Sequence, residues 1–180
     1  MAELSRRADS WDGILYPGEA VLWQGQPDPR LDWSAWRPSE AIFGALIAVF
    51  AGFWMAMAAG AHGGPFMGIA FPLLALPFLV IGLYRAGGRV VWDAHVRKHT
   101  WYTLTDQRAF IATDLFRRRD LAAYPMTSKT VLDREGPHIW FATDFLRTRT
   151  GSRRHRIGFT HLPEPDRVFA LMARVQRAAT

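Results

Sequence analysis

At 180 residues the chain has room for one modest domain and little else, and its formal net charge is +6. It has no cysteine, which excludes disulfides, thiolate metal sites and a cysteine nucleophile. The middle is strongly apolar and the flanks are rich in arginine. The basicity therefore has three readings: nucleic acid, anionic lipid, or the positive flanks of membrane helices.

Residues 1–40 contain no continuous apolar core, so no cleavable signal peptide is expected there. They form an N-terminal arm with one predicted strand over 20–24, bounded by Pro17-Gly18 and Gln26-Pro27. Residues 41–84 contain no Asp, Glu, Lys or Arg. The run divides at Gly60-Ala61-His62-Gly63-Gly64-Pro65 into segments 41–59 and 66–84. Each is close to the ~20 residues that cross ~30 Å of hydrocarbon. A loop this short makes the helices antiparallel. Arg30 and Arg37 precede the run, and Arg85, Arg89, Arg97 and Lys98 follow it. The positive-inside rule then places both termini in the cytoplasm and makes the chain a two-pass inner-membrane protein.

In the first segment Gly44, Ala48, Gly52 and Ala56 recur every four residues and line one helix face with small side chains. That stripe fits packing against the second segment or homodimerisation. Pro72 and Pro77 are expected to kink the second segment. Residues 85–99 read as a juxtamembrane helix with Trp92 as an interfacial anchor.

From residue 100 onward the pattern turns to short strands, predicted at 100–105, 108–113, 120–126, 129–133, 138–143 and 156–160. Residues 165–178 close the chain as an amphipathic helix, with Val168, Leu171, Met172 and Val175 on one face. Pro165 suits its first position, and Asp166 suits its positive end. Residues 100–180 thus form a bent antiparallel sheet capped by a C-terminal helix. The strand at 20–24 lies on the same membrane side and is expected to cover one edge of that sheet.

Pro17-Gly18-Glu19 with Val21-Leu22-Trp23 and Gly25, two apolar helices, Tyr102-Thr103-Leu104-Thr105-Asp106-Gln107-Arg108 and a final helix occur in this order. The pattern resembles bacterial membrane proteins in which a pleckstrin-homology-like (PH-like) domain follows a two-helix transmembrane hairpin. The resemblance runs from Tyr16 onward. Its most specific part is the turn-shaped motif of Tyr102, Leu104, Thr105 and Arg108. It implies an α+β membrane protein with a seven-stranded, strongly bent sheet under a C-terminal helix, and it implies no reaction or ligand.

Two arginine-rich stretches stand out as candidate contact sites. One is Arg117, Arg118 and Arg119; the other is Arg147, Arg149, Arg153, Arg154 and Arg156. Read as hairpin loops beside a membrane, they suit anionic lipid headgroups, at about 1 kcal/mol per basic residue near the surface. An acidic protein partner is the second reading, and a solvated face with no ligand is the third. The loops lack the regular aromatic interleaving of a nucleic-acid stacking platform.

His95 and His99 share a helix face at i,i+4 spacing, but no third ligand is evident and Arg97 and Lys98 lie between them, so no metal is expected. No G-x-S-x-G, P-loop or G-x-G-x-x-G occurs. Arg147-Thr148-Arg149-Thr150 is similar in outline to the S-T-R-T loop of transcarbamoylases, but nothing else matches that larger soluble fold. The expectation is a non-enzymatic scaffolding, recruitment or lipid-contacting module without cofactor. The alternatives are a membrane enzyme of unrecognised site and a structural membrane oligomer.

Overall fold

The computed structural model describes residues 13–60, 64, 69–116, 118–148 and 151–179. The chain forms two compact units. Residues up to Asp28 and from Arg97 make a β-unit, and Pro29–Val96 make a helical unit.

The β-unit is α+β, with two antiparallel sheets and a C-terminal helix. The first sheet has strand order β1 (Val21–Gly25), β2 (Thr100–Thr105), β3 (Arg108–Leu115) and β4 (Arg118–Pro125). The second has β5 (Asp133–Glu135), β6 (His138–Thr148) and β7 (Gly151–Phe159). β1 pairs antiparallel with β2, aligning Trp23 with Leu104 and Gly25 with Tyr102. The strand before the helical unit therefore lies beside the strand that follows it.

The expected single bent sheet is instead two ladders. β4 ends at Pro125, which has no N–H to continue the pairing. Of the strand expected over 129–133, residues 129–132 are not strand, and only Asp133 joins one, as the first residue of β5. Thr127 and Thr130 close a turn there, with the Thr130 N–H donating to the Thr127 carbonyl at 3.0 Å. Met126 is buried in the core and Leu132 packs against it, and β5 then begins in the second sheet.

The arginine-rich stretches are also more regular than expected. β6 runs to Thr148 and pairs it with Gly151 at the start of β7, so most of the second stretch is strand. Leu115 pairs with Arg118, leaving a two-residue connection in the first. These ends carry polar and charged side chains with no alternating apolar face. Backbone pairing forms them without the periodicity by which a half-buried strand is recognised.

The core lies where the sheets meet the final helix. Tyr102, Leu104 and Ala109 come from the first sheet, and Ile139, Phe141 and Phe159 from the second. The helix, Pro165–Ala178, adds Val168, Met172 and Val175, while Leu171 packs at the margin. Phe159 stacks on Tyr102 at a centroid distance of 4.6 Å and meets Phe141 edge-on at 5.1 Å. These aromatic pairs add to the area that the two sheets bury.

In the helical unit, α1 spans Pro38–Ala59, with Pro38 in its first turn and Gly60 as C-cap. It is one helix, among the described residues, long and apolar enough to cross a membrane. The second apolar segment differs from the single span expected. Its described part comprises the one-turn helix α2 (Phe71–Leu73), a break at Leu74-Ala75, and α3 (Leu76–Leu83). Pro72 and Pro77 flank the break, each without an amide hydrogen to donate. A wider π-type turn, Tyr84–Gly88, leads into α4 (Arg89–Lys98).

α1 packs against α3 in antiparallel sense through glycine. A methyl built on Gly44 would lie 2.7 Å from the Ala86 amide nitrogen, and one on Gly82 would lie 2.6 Å from that of Ala48. The small-residue stripe is used only in part. Ala41, Gly44, Ala48 and Ala51 are buried, whereas Ala56 is exposed and a methyl on Gly52 meets open space. A straight helix turns 100° per residue, so an exact four-residue repeat drifts off the contact and Ala51 takes over from Gly52. Gly82→Val is expected to force the helices apart at a cost of about 1–3 kcal/mol. The check is the unfolding midpoint of the purified full chain, with Gly52→Ala as a neutral control. An unchanged Gly82→Val midpoint would contradict packing through Gly82.

Candidate functional site

The two most distinctive sequence fragments meet at one buried ion pair. Tyr16-Pro17-Gly18-Glu19 forms a tight turn closed by the Glu19 N–H on the Tyr16 carbonyl at 2.9 Å. Proline at the second position and Gly18 at φ +84° at the third are what a type II turn requires. The turn aims Glu19 at the β2–β3 connection, where its side chain is fully enclosed.

There the Thr105 hydroxyl donates to Glu19 Oε1 at 2.6 Å and accepts from the Arg108 N–H at 2.8 Å. Arg108 grips the same carboxylate twice, through Nε to Oε1 at 3.1 Å and through Nη2 to Oε2. The Tyr16 N–H donates to Oε2 at 2.8 Å. The guanidinium lies 3.8 Å from the Tyr16 ring centroid and 4.8 Å from that of Phe110. Asp106 completes the join, accepting from the Ala20 N–H at 3.1 Å. The Arg108 guanidinium hydrogen bonds, opposed by burial, hold the Glu19 carboxyl at about 2, well below its usual 4.5; the Thr105 hydroxyl and Tyr16 amide add to the lowering.

All four donors point inward at one carboxylate and leave no open position for a substrate. The cluster is a clamp between the N-terminal arm and the sheet. Of the turn motif, Thr105 and Arg108 build the clamp while Tyr102 and Leu104 are core residues. Glu19 was visible in the sequence only as part of the Pro-Gly-Glu turn. Its partner lies 89 positions away, and no local pattern announces a pairing at that separation.

The arginine stretches divide by what they touch. Arg119 pairs with Asp114 across the β3–β4 ladder at 3.3 Å. Arg156 pairs with Asp133 and with Glu135 at 3.1 Å, and it lies over the Trp140 ring at 4.9 Å. Those contacts tie β7 to β5. Arg118 and Arg154 are exposed, and Arg154 sits 5.9 Å from the Phe145 ring centroid. Arg117 and Arg149 lie outside the described residues. For Arg147 and Arg153 only the strand positions are described.

Two exposed phenylalanines accompany these cations. Phe116, at the β3–β4 connection, is 79% exposed with φ +50°, and Phe145 on β6 is 61% exposed. Neither was singled out as a site residue from the sequence, where both fall beyond the predicted strands at 108–113 and 138–143. The two hairpins belong to different sheets. Among the described residues no three His, Asp or Glu side chains gather at metal-binding distance.

Comparison of the chain with protein-family models, curated proteins and solved structures gives no match.

Proposed function

We propose that this chain is an inner-membrane protein whose helical unit is a two-pass hairpin carrying a PH-like cytoplasmic domain that contacts anionic lipid or recruits a protein partner. One observation carries the reading. The chain leaves the β-unit at Asp28 and re-enters it at Arg97, and Arg97 Nε donates to the Asp28 carbonyl at 3.1 Å. An insertion that begins and ends at one point of one domain crosses a bilayer an even number of times. The positive flanks at Arg30, Arg37, Arg85 and Arg89 then put both ends in the cytoplasm.

The surface of α1 supports the same conclusion. Only 28% of its most apolar window is buried, whereas the core helix of a soluble protein is mostly buried. Val49 and Phe50 are 70% and 68% exposed, which suits hydrocarbon and not water. The PH-like assignment draws on the 1-2-3-4 and 5-6-7 strand orders under a terminal helix, and on the clamp joining the two motif fragments. No catalytic role is assigned.

Lipid contact is favoured by exposed aromatic and basic groups on the same hairpins, Phe116 and Arg118 on one and Phe145 and Arg154 on the other. A fluorophore on Phe116→Cys of the full chain in nanodiscs should be quenched by headgroup quenchers when the lipid is anionic. High salt should weaken the effect, because the attraction is screened over ~8 Å at physiological ionic strength. Arg118→Gln with Arg154→Gln should reduce it without unfolding the domain, since exposed charges contribute little to stability. Equal quenching in neutral and anionic discs would reject this contact and favour an acidic protein partner.

A further inference from the structure

Two histidines meet beside the point where the chain leaves the β-unit. His138 opens β6, and His161 follows the end of β7. Both are half-buried, and their rings meet edge-on at a centroid distance of 4.8 Å. The His161 N–H donates to His138 Nδ1 at 3.2 Å. The His161 carbonyl accepts from the Asp28 N–H at 2.7 Å, and the Leu162 N–H donates to the Pro137 carbonyl at 2.9 Å. The Asp28 carbonyl in turn accepts from Arg97 Nε at 3.1 Å. His161 sits at φ +53°, in the left-handed region that a residue with a Cβ keeps only when its surroundings hold it there.

We propose that His138 is a pH-sensitive latch: when neutral it holds His161, and through it Asp28, at the exit from the β-unit, and when protonated it lets both go. Every group in the latch belongs to the β-unit.

A backbone N–H can only donate, so Nδ1 must keep its lone pair and the single ring proton must sit on Nε2. A second proton, on Nδ1, turns the acceptor into a donor facing a donor. Histidine gains that proton between about pH 8 and 5. The bond is therefore present above that range and lost below it. Without it His161 relaxes from the left-handed region, and the turn of its backbone carries its carbonyl away from the Asp28 N–H.

The neighbouring charges do not oppose the release. Glu135 lies opposite His138 in the β5–β6 register, but its carboxylate is engaged by Trp140 Nε1 and Arg156 Nη1, each at 3.1 Å. Trp140 stacks on His138, and Arg156 lies over the Trp140 ring. Glu164 and Asp166, at the start of the final helix, pair with Arg167 and Arg134. Asp28 and Arg97 bring one charge of each sign and reach the latch through the Asp28 backbone. Each negative charge is matched by a positive one, so an imidazolium gains no net attraction that would hold it in place.

The test is hydrogen–deuterium exchange of the full chain in detergent, with rates corrected for the intrinsic effect of pH. From about pH 7.5 to 5.5 the amides of Asp28 and His161 should lose about tenfold in protection, the effect of one hydrogen bond. Those of β2 and β3 should keep theirs, because the Glu19 carboxylate titrates well below that window. His138→Asn presents a carbonyl oxygen that does not titrate, so both amides should stay protected at both pH values. His138→Ala should show the low protection at either pH. Unchanged protection in the native chain, or an equal loss in His138→Asn, would overturn the latch. Imidazole nitrogen NMR of the native chain needs no variant. At the higher pH His138 should carry its proton on Nε2, and a proton on Nδ1 would overturn the latch as well.

Discussion

Glu19→Ala is expected to destabilise the β-unit by about 3–5 kcal/mol, the range for breaking a buried ion pair by removing one partner. The substitution strands Arg108, the Thr105 hydroxyl and the Tyr16 amide around an enclosed site. It also unlocks the arm from the β2–β3 connection and so loosens β1, which covers the edge of β2.

The same carboxylate gives the fold an acid limit. Its pKa falls from 4.5 when exposed to about 2 when clamped, so the folded state binds the proton less readily than the unfolded chain. A depressed pKa contributes stability that is complete above the unfolded value and lost as pH drops through the folded one. At roughly 1.4 kcal/mol per unit the contribution is about 3 kcal/mol, lost between about pH 4.5 and 2. Unfolding midpoints of the full chain across that window should fall steeply for the native sequence and less steeply for Glu19→Gln. Arg119→Gln, which removes an exposed pair, should shift stability by less than about 1 kcal/mol at any pH. Identical pH profiles for the native chain and Glu19→Gln would contradict the clamp.

How much of this was legible in the sequence depends on whether the signal was local. The helix at Pro165–Ala178 announces itself through its proline start and the three- and four-residue spacing of Val168, Leu171, Met172 and Val175. β2 and β3 flank a turn whose residues are adjacent in the chain. The apolar run needs only the absence of charge. The ends of β6 and β7 stayed hidden because Arg147, Thr148, Ser152 and Arg153 show no apolar alternation, and their strand state comes from pairing with each other. The division into two sheets turns on Pro125 and the Thr127–Thr130 turn, where strand propensity alone placed a new strand at 129–133.

The candidate sites followed the same division. Clusters of arginine are obvious in a sequence, but only cross-strand registers show that Arg119 and Arg156 are already engaged by Asp114, Asp133 and Glu135. The close helix contact at Gly82 was invisible for a related reason. It needs the register of two helices, which is set where Gly44 and Gly82 let their backbones touch.

Topology is where the account is most exposed to a single measurement. The chain contains no cysteine, so single-cysteine variants at Ala2, Gly63 and Ala179 each report one location without background. A membrane-impermeant maleimide applied to intact cells should label Gly63→Cys. It should label Ala2→Cys and Ala179→Cys only after the inner membrane is permeabilised. That result is what a hairpin inserted between two paired strands of one cytoplasmic domain predicts. Labelling of Ala179→Cys in intact cells, with Ala2→Cys protected, would place the chain's ends on opposite sides. It would contradict both the two-pass hairpin and the β1–β2 pairing that spans it.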